Sequence, residues 1–411
     1  MLRATVLGRV TESPSLLIVD DDRLVLRSLA RALRRARPTW RIDVHERPAG
    51  ALNGLASVPY DIVISDLDMP DIDGAELLRE VQQRWPSVVR IAFTGSQDAK
   101  HMMRLVGPAH QYLRKPLSPR ELLETMERAI ALRSHLHNPL VARIVSRKNA
   151  LPMISTNYVR LVDAIEREDI EEAVSCARGD AALAARVMQL ASSALFGRMH
   201  APKDLRSAVM VIGVNTLRAL VLEQAVVTRL APSSTTVSVD EIQSRGMITG
   251  IIAREAMRLS ELRDVAFIVG ILHGVGHIVL AARAPKLYRR AGQVAQSRDI
   301  SLSEALRETL EVTEAEVGAY LLGLWGLPEA LVDVIARQHQ PQDQGHRGQP
   351  DLRLALYVAT RLAQNPAAPV RKDAGASPDL DEEAIVRSGM GRELDRLRTR
   401  AERLLGHSHA A

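Results

Sequence analysis

Up to about His135 the chain alternates short apolar runs with amphipathic stretches five times over, and few folds accept that pattern. Leu16–Val19, Ile42–Val44, Ile62–Ile64, Val88–Phe93 and Gln111–Leu113 have strand character. Helical spacing occupies 22–36, 48–57, 74–84, 97–106 and 118–134. Five βα repeats with near-continuous apolar strands predict a doubly wound α/β unit, a five-stranded parallel sheet covered on both faces. Ligands of such sheets sit at the carboxyl ends of the strands, so the residues just after each strand are the place to look for chemistry.

From Leu140 onward strand-like alternation disappears, and Ala/Leu/Arg/Glu-rich segments at helical spacing take over, among them Glu171–Leu195, Leu205–Thr228, Ile242–Leu259, Ala315–Leu324, Glu329–Gln338 and a closing helix over Glu393–Leu405. The second region is expected to be all-α. Ser118-Pro119 is a helix start, and Asn138-Pro139 should stop that helix. Gln340–Pro350 and Ala367–Pro378 have loop composition. Val265–Ala282 is uncharged over the minimum length of a membrane span, but its two histidines, three glycines and lack of an aromatic belt predict a helix buried in a protein core. With no signal-peptide core at the N-terminus, a cytoplasmic protein is expected.

Composition narrows the function. A net charge of +5 is too mild to argue for nucleic acid, and 3% aromatic residues leave few stacking platforms. The one cysteine, Cys176, excludes an internal disulfide framework and a thiolate zinc cluster, and its apolar helical setting predicts a buried structural thiol.

Asp20, Asp21 and Asp22 follow the first strand, Asp66 the third, Thr94 the fourth and Lys115-Pro116 the fifth. If the strands are as read, these side chains converge on one sheet edge. Carboxylates at close range disfavour joint ionisation, and a divalent cation reverses that penalty; oxygen ligands of this kind suit Mg²⁺. A cation beside a carboxylate, with a lysine and a hydroxyl, is a receptor for a phosphoryl group, and the carboxylate can be its nucleophile.

The constellation closely resembles the receiver domain of two-component response regulators over residues 14–134: VDDD, then D-x-x-M-P-x-x-D-G at Asp66–Gly74, Thr94-Gly95, and Tyr112 ahead of Lys115-Pro116. The resemblance implies a flavodoxin-like fold with Asp66 as phosphoacceptor, and Asp20 and Asp21 with Asp66 around Mg²⁺. It implies contacts from Thr94 and Lys115 to the phosphoryl oxygens, and Tyr112 as an aromatic that changes rotamer with Thr94. Asp68 lies where side chains tune water attack on the acyl phosphate. Arg23, Arg27, Arg31 and Arg34 form a stripe along the first helix, either a solvated face or a dock for the phosphodonor.

The helical half, through DAALAARVMQLASSALFG (180–197), LRSAVMVIGVNTLRALVLEQA (205–225), ILHGVGHIVL (271–280) and EVGAYLLGLWGLPEALVDVIARQH (316–339), resembles the HDOD family, output domains related to the metal-dependent HD phosphohydrolases. Catalysis in those relatives needs a His-Asp pair, and this chain reads His273-Gly274, without the carboxylate. Other ligand slots fall near Arg245-Gly246 and at Glu314, which leaves His339 alone at a plausible ligand position. His273 and His277, four apart, are expected to be satisfied core histidines. Gly270, Gly274 and Gly276 are expected to permit close helix packing, since no G-K-[ST] follows them. The Trp325–Pro328 turn is expected to anchor a helix junction.

These readings predict a receiver at 14–134, a helical linker at 135–150, an HDOD output domain at 151–365, and a C-terminal loop and helix at 366–411. They imply a phosphorylation-switched regulator, with a histidine kinase or phosphotransfer protein as donor and an unknown downstream protein partner. Phosphorylation would shift a face built from the 97–106 and 118–134 helices, and the family's habit of dimerising there leaves a homodimer open. Mg²⁺ is expected in the receiver and no cofactor in the HDOD half. Two other classes compete. A variant HD phosphohydrolase or cyclic-dinucleotide phosphodiesterase is disfavoured by Gly274 and by the lack of a G-Y-P motif. A DNA-binding regulator is disfavoured because no stretch reads as helix-turn-helix.

Overall fold

A computed structural model describes residues 13–70, 73–85, 88–94, 109–115, 118–135, 141, 144–145, 156–191, 202–230, 238–325, 327–340, 351–371 and 379–408. The chain divides into two compact units, 1–135 and 136–411.

The first unit is a parallel sheet of β1 (Ser15–Val19), β2 (Arg41–His45), β3 (Ile62–Asp66), β4 (Val89–Thr94) and β5 (Gln111–Arg114), in the order β2-β1-β3-β4-β5. The order reverses between β1 and β3, so the carboxyl ends of those two strands flank the crevice where such sheets bind ligands. β1 and β3 are buried along their whole length, which is why their sequences are apolar without alternation. Helix α1 (Arg23–Ala36) turns Leu26, Leu29, Ala30 and Leu33 to the sheet at three- and four-residue spacing, each leucine contributing about 2 kcal/mol of burial. Its arginines Arg23, Arg27, Arg31 and Arg34 are exposed; Arg23 pairs with Glu46 at 2.8 Å. α2 (Pro48–Ser57), α3 (Gly74–Arg84) and α4 (Pro119–His135) complete the described helices. The helix expected at 97–106 lies outside the described residues, as does most of the linker.

The second unit is helical: α5 (Thr156–Glu166), α6 (Ile170–Arg178), α7 (Ala181–Ala191), α8 (Leu205–Ile212), α9 (Val214–Leu230), α10 (Val239–Ala256), α11 (Ser260–Leu272), α12 (Val275–Arg283), α13 (Pro285–Arg298), α14 (Leu302–Leu310), α15 (Glu314–Leu324), α16 (Glu329–Ala336), α17 (Leu352–Gln364), α18 (Glu382–Arg387) and α19 (Gly391–Ser408). Two long helices expected from periodicity are each two. The first ends at Gly179, after which α7 starts on its own axis. The second breaks at Gly213, whose φ of 81° only glycine adopts without strain, and the chain bends there by 103°. A short parallel pair, β6 (Val370–Arg371) with β7 (Leu380–Asp381), also interrupts the region expected to be all-α.

The run Glu261–Arg283, spanning α11 and α12, is long and apolar enough to cross a membrane, yet 78% of its apolar window is buried within the protein. Gly270 lies against Gly250 so closely that a Cβ would meet the Gly250 Cα at 2.3 Å; at Gly276 one would meet the Glu314 carbonyl oxygen at 1.8 Å. The apolar stretch is therefore a helix pair clasped by α10 and α15. Residues of α17 to α19, with Ala368 and Leu380, share one core cluster with α10. The C-terminal segment thus belongs to the fold of the second unit.

Candidate functional site

The carboxyl edge of the sheet gathers the acidic residues. Asp20 (1% exposed) and Asp66 (5%) are buried, and Asp21 is exposed beside them. Their ligand oxygens lie within 4.8 Å of one another, and among the described residues no other set of three His, Cys, Asp or Glu side chains meets that criterion. Two oxygens on opposite sides of Mg²⁺ are about 4.2 Å apart, and Mg²⁺ keeps several waters, so three carboxylates at this spacing fit that cation. Lys115 donates from Nζ to Asp20 Oδ2 at 2.7 Å and forms an ion pair with Asp66 Oδ2 at 2.9 Å, while lying 4.9 Å from the Phe93 ring centre.

The electrostatics follow from burial. Burial raises the Asp20 carboxyl above its usual range against the opposing pull of Lys115 and the Asp22 amide. Burial alone would lower the Lys115 ammonium, but its bonds to Asp20 and Asp66 outweigh that and raise it. The site is a buried dicarboxylate held together by one lysine.

Local chain chemistry sets this geometry. Asp66 Oδ1 accepts from the Leu67 amide at 2.8 Å, which orients the carboxylate at the strand end. Asp20 Oδ1 accepts from the Asp22 amide at 2.9 Å. Asp22, third of the aspartates, is the N-cap of α1 and accepts from the Leu24 amide at 2.7 Å, a role the sequence reading did not assign. Asp73 likewise caps α3, and Gly74 packs onto the Asp66 carbonyl, where a Cβ would come within 1.8 Å. The second half of the D-x-x-M-P-x-x-D-G motif thus holds the first half in place. Thr94 ends β4 and Tyr112 lies within β5, in register with Ala92; their side chains lie outside the described residues. Asp68 is exposed.

In the helical unit, His273 ends α11 and Gly274 precedes α12. His273 donates from Nδ1 to the Gly270 carbonyl at 2.6 Å, and burial lowers its pKa to about 4, so it is neutral at pH 7. His277 Nδ1 lies 2.9 Å from the Tyr288 hydroxyl. His339 Nε2 is taken by Glu314 Oε1 at 2.5 Å, and Ser303 donates to the same oxygen at 2.6 Å. Burial works against the Glu314 carboxylate, yet His339, His277 and Ser303 together hold its carboxyl far below the usual carboxylate range. This Ser303–Glu314–His339 cluster, with Glu314 buried and its two partners half-buried, joins α14, α15 and the turn after α16. Glu314 and His339 stood out in sequence as former ligand slots, but their pairing and the part of Ser303 did not, because the three come from separate segments with no shared motif. Arg245, placed by sequence near a ligand slot, pairs on the surface with Glu241 at 2.5 Å, and Gly246 packs on the Ile271 carbonyl. Cys176 is buried, and burial pushes its thiol up to about 11; Arg160, a basic neighbour not evident in sequence, opposes the shift.

The response regulator receiver domain family matches residues 16–127, and the HDOD domain family matches residues 151–341. The hydrogenase transcriptional regulatory protein HoxA of Cupriavidus necator is 29% identical over 164 residues, 36% of this chain and 33% of its own length. The chain thus spans about a third of that relative. A signal receiver domain of an HD domain-containing protein from Pseudomonas fluorescens is 30% identical, with 30% of this chain and 98% of that chain covered and a TM-score of 0.28. An HDOD domain protein from Geobacter sulfurreducens is 20% identical, with 66% and 99% covered and a TM-score of 0.48. The chain joins a response regulator receiver domain to an HDOD domain.

Proposed function

We propose that the protein is a phosphorylation-switched regulator in which Asp66 takes a phosphoryl group from a histidine kinase or phosphotransfer protein and the HDOD half passes the state on by binding another protein. The observation that carries this reading is the buried Asp20–Asp66 pair, with Asp21 beside it and Lys115 bridging it at 2.7 and 2.9 Å. An Asp66 oxygen attacks the phosphorus of the donor phosphohistidine; the O–P bond forms, the P–N bond breaks, and the imidazole leaves. Asp20, Asp21 and Asp66 would hold Mg²⁺, which when bound neutralises charge on the phosphoryl oxygens. Lys115, already on Asp66, is placed to pair with an added phosphoryl oxygen, and Thr94 and Tyr112 form the switch that responds.

The HDOD half is read as a binding domain. Gly274 supplies no ligand atom beside His273, and His339 is engaged by Glu314 and Ser303, which supports a non-hydrolytic role. We assign the receiver to 14–134, the linker to 135–150, the HDOD domain to 151–365 and a C-terminal extension to 366–411, acting in the cytoplasm. Acetyl phosphate with Mg²⁺ should add one phosphoryl group to the intact protein, and Asp66→Asn should abolish it. Undiminished labelling of that variant would sink the receiver assignment.

A further inference from the structure

Most exposed arginines of the helical unit carry their own counter-charge. Arg206 pairs with Glu171, Arg245 with Glu241, Arg307 with Glu316 and Arg387 with Glu383. α13 departs from this. Its fourteen residues hold Lys286, Arg289, Arg290 and Arg298 and no acidic residue. Arg298 is taken by Glu308 of α14. Lys286 and Arg290 form no ion pair or hydrogen bond among the described residues. They are four apart, hence on one face, and both are exposed. Leu287, 43% exposed, flanks them. The opposite face is anchored: Tyr288 and Ala291 are buried, and the Tyr288 hydroxyl meets His277. Arg283, just before the helix, is half-buried, has its Nε buried without a hydrogen-bond partner among the described residues, and is lowered in pKa by that burial.

A surface of unmatched cations beside an exposed leucine calls for carboxylates with an apolar residue among them. A nucleic acid would supply the charge, but its outward phosphates offer no apolar side chain to pack on Leu287. We propose that the outward face of α13 docks an acidic, leucine-bearing segment of a partner protein, with Lys286 and Arg290 pairing its carboxylates and Leu287 packing on its apolar side chain. This rests on the reading of the HDOD half as a protein-binding domain and names the chemistry of its partner.

The test uses the full chain and a fluorescent synthetic peptide of Glu-Glu-Leu repeats, followed by anisotropy. Its Gln-for-Glu counterpart and a DNA duplex serve as competitors. Saturable binding is expected, weakening with salt, and roughly tenfold weaker in Lys286→Glu/Arg290→Glu. Lys203→Glu/Arg392→Glu, which makes the same change of net charge at exposed sites elsewhere, should leave binding unchanged. Leu287→Ala should weaken it about threefold, as partial loss of apolar burial requires. No binding of the peptide, or equal losses in both double variants, overturns the α13 assignment. A duplex that displaces the peptide more strongly than the unlabelled peptide does would overturn the protein-binding reading as well.

Discussion

Gly74 ties the fold of the first unit to its chemistry, so Gly74→Ala is the most informative single substitution. A Cβ there would lie 1.8 Å from the Asp66 carbonyl oxygen, 2.8 Å from the Asp66 carbonyl carbon and 2.9 Å from the Leu67 Cα. All three are backbone atoms, so no side chain can rotate away. Real Cβ contacts respect 3.0 Å, so the end of β3 and the start of α3 must part until the 1.8 Å approach has opened to that distance. That movement strains the Gly74 amide bond to the Leu67 carbonyl, now 3.2 Å. Overpacking of this kind costs about 1–3 kcal/mol, and a weakened backbone hydrogen bond adds about 1 kcal/mol. The gain in helix propensity returns less than about 1 kcal/mol. A net loss of about 2–3 kcal/mol should lower the receiver's melting temperature by roughly 10 °C. The same shift displaces the phosphoacceptor, and a misplacement of about 1 Å can cost on the order of a hundredfold in rate. Thermal unfolding and the rate of labelling by acetyl phosphate read the two effects. Gly292→Ala, with nothing within 4 Å in mid-α13, is the control and should be neutral or slightly stabilising. If Gly74→Ala melts and labels like the wild type, the packing argument is wrong.

Three further outcomes are expected. Asp20→Ala or Asp21→Ala should weaken Mg²⁺ binding by roughly 10–100-fold in calorimetry, because each removes an oxygen ligand or the acceptor that orders one; wild-type affinity in both would refute their role. Glu314 has its folded-state pKa depressed, so its stabilising contribution is present above the ordinary carboxylate value and is lost as pH falls through the folded one. Glu314→Gln should therefore cost about 2–4 kcal/mol at pH 7, with the difference from wild type narrowing as urea unfolding is repeated at more acidic pH; a constant difference would contradict this. Cys176, its thiol raised to about 11 by burial, should resist iodoacetamide at pH 8 in the native protein and react once urea unfolds it. Rapid stoichiometric alkylation of the folded chain would show that the thiol is accessible.

Much of the first unit was legible because a strand buried on both faces leaves its mark in consecutive residues. Leu16–Val19 and Ile62–Ile64 were readable for that reason, and the strands extend only one or two residues further. The division of labour among the aspartates was less legible. Asp20, Asp21 and Asp22 look alike in sequence, and only the start of α1 reveals that Asp22 serves the helix end. Helix ends were lost at Gly179 and Gly213, since periodicity continues through a bend when both sides remain buried. The HDOD half was readable as helices and as a degenerate site at His273, Gly274 and His339, but not in how Glu314, His339 and Ser303 meet.

What the sequence determined by itself was order and type: five parallel strands alternating with helices, then a helical region, with acidic residues, a threonine and a lysine at the strand ends. Those are local properties, set by periodicity and by which residue follows which. The tertiary structure decided what depends on chain segments distant in sequence. It placed Lys115, just past β5, between carboxylates carried at the ends of β1 and β3, and gave Glu314 the ring nitrogen of His339 and the hydroxyl of Ser303 as partners. Lys286 and Arg290 carry no ion-pair partner among the described residues. A buried carboxylate must find a cation or a donor wherever the fold brings one, and no local pattern encodes which residue that will be.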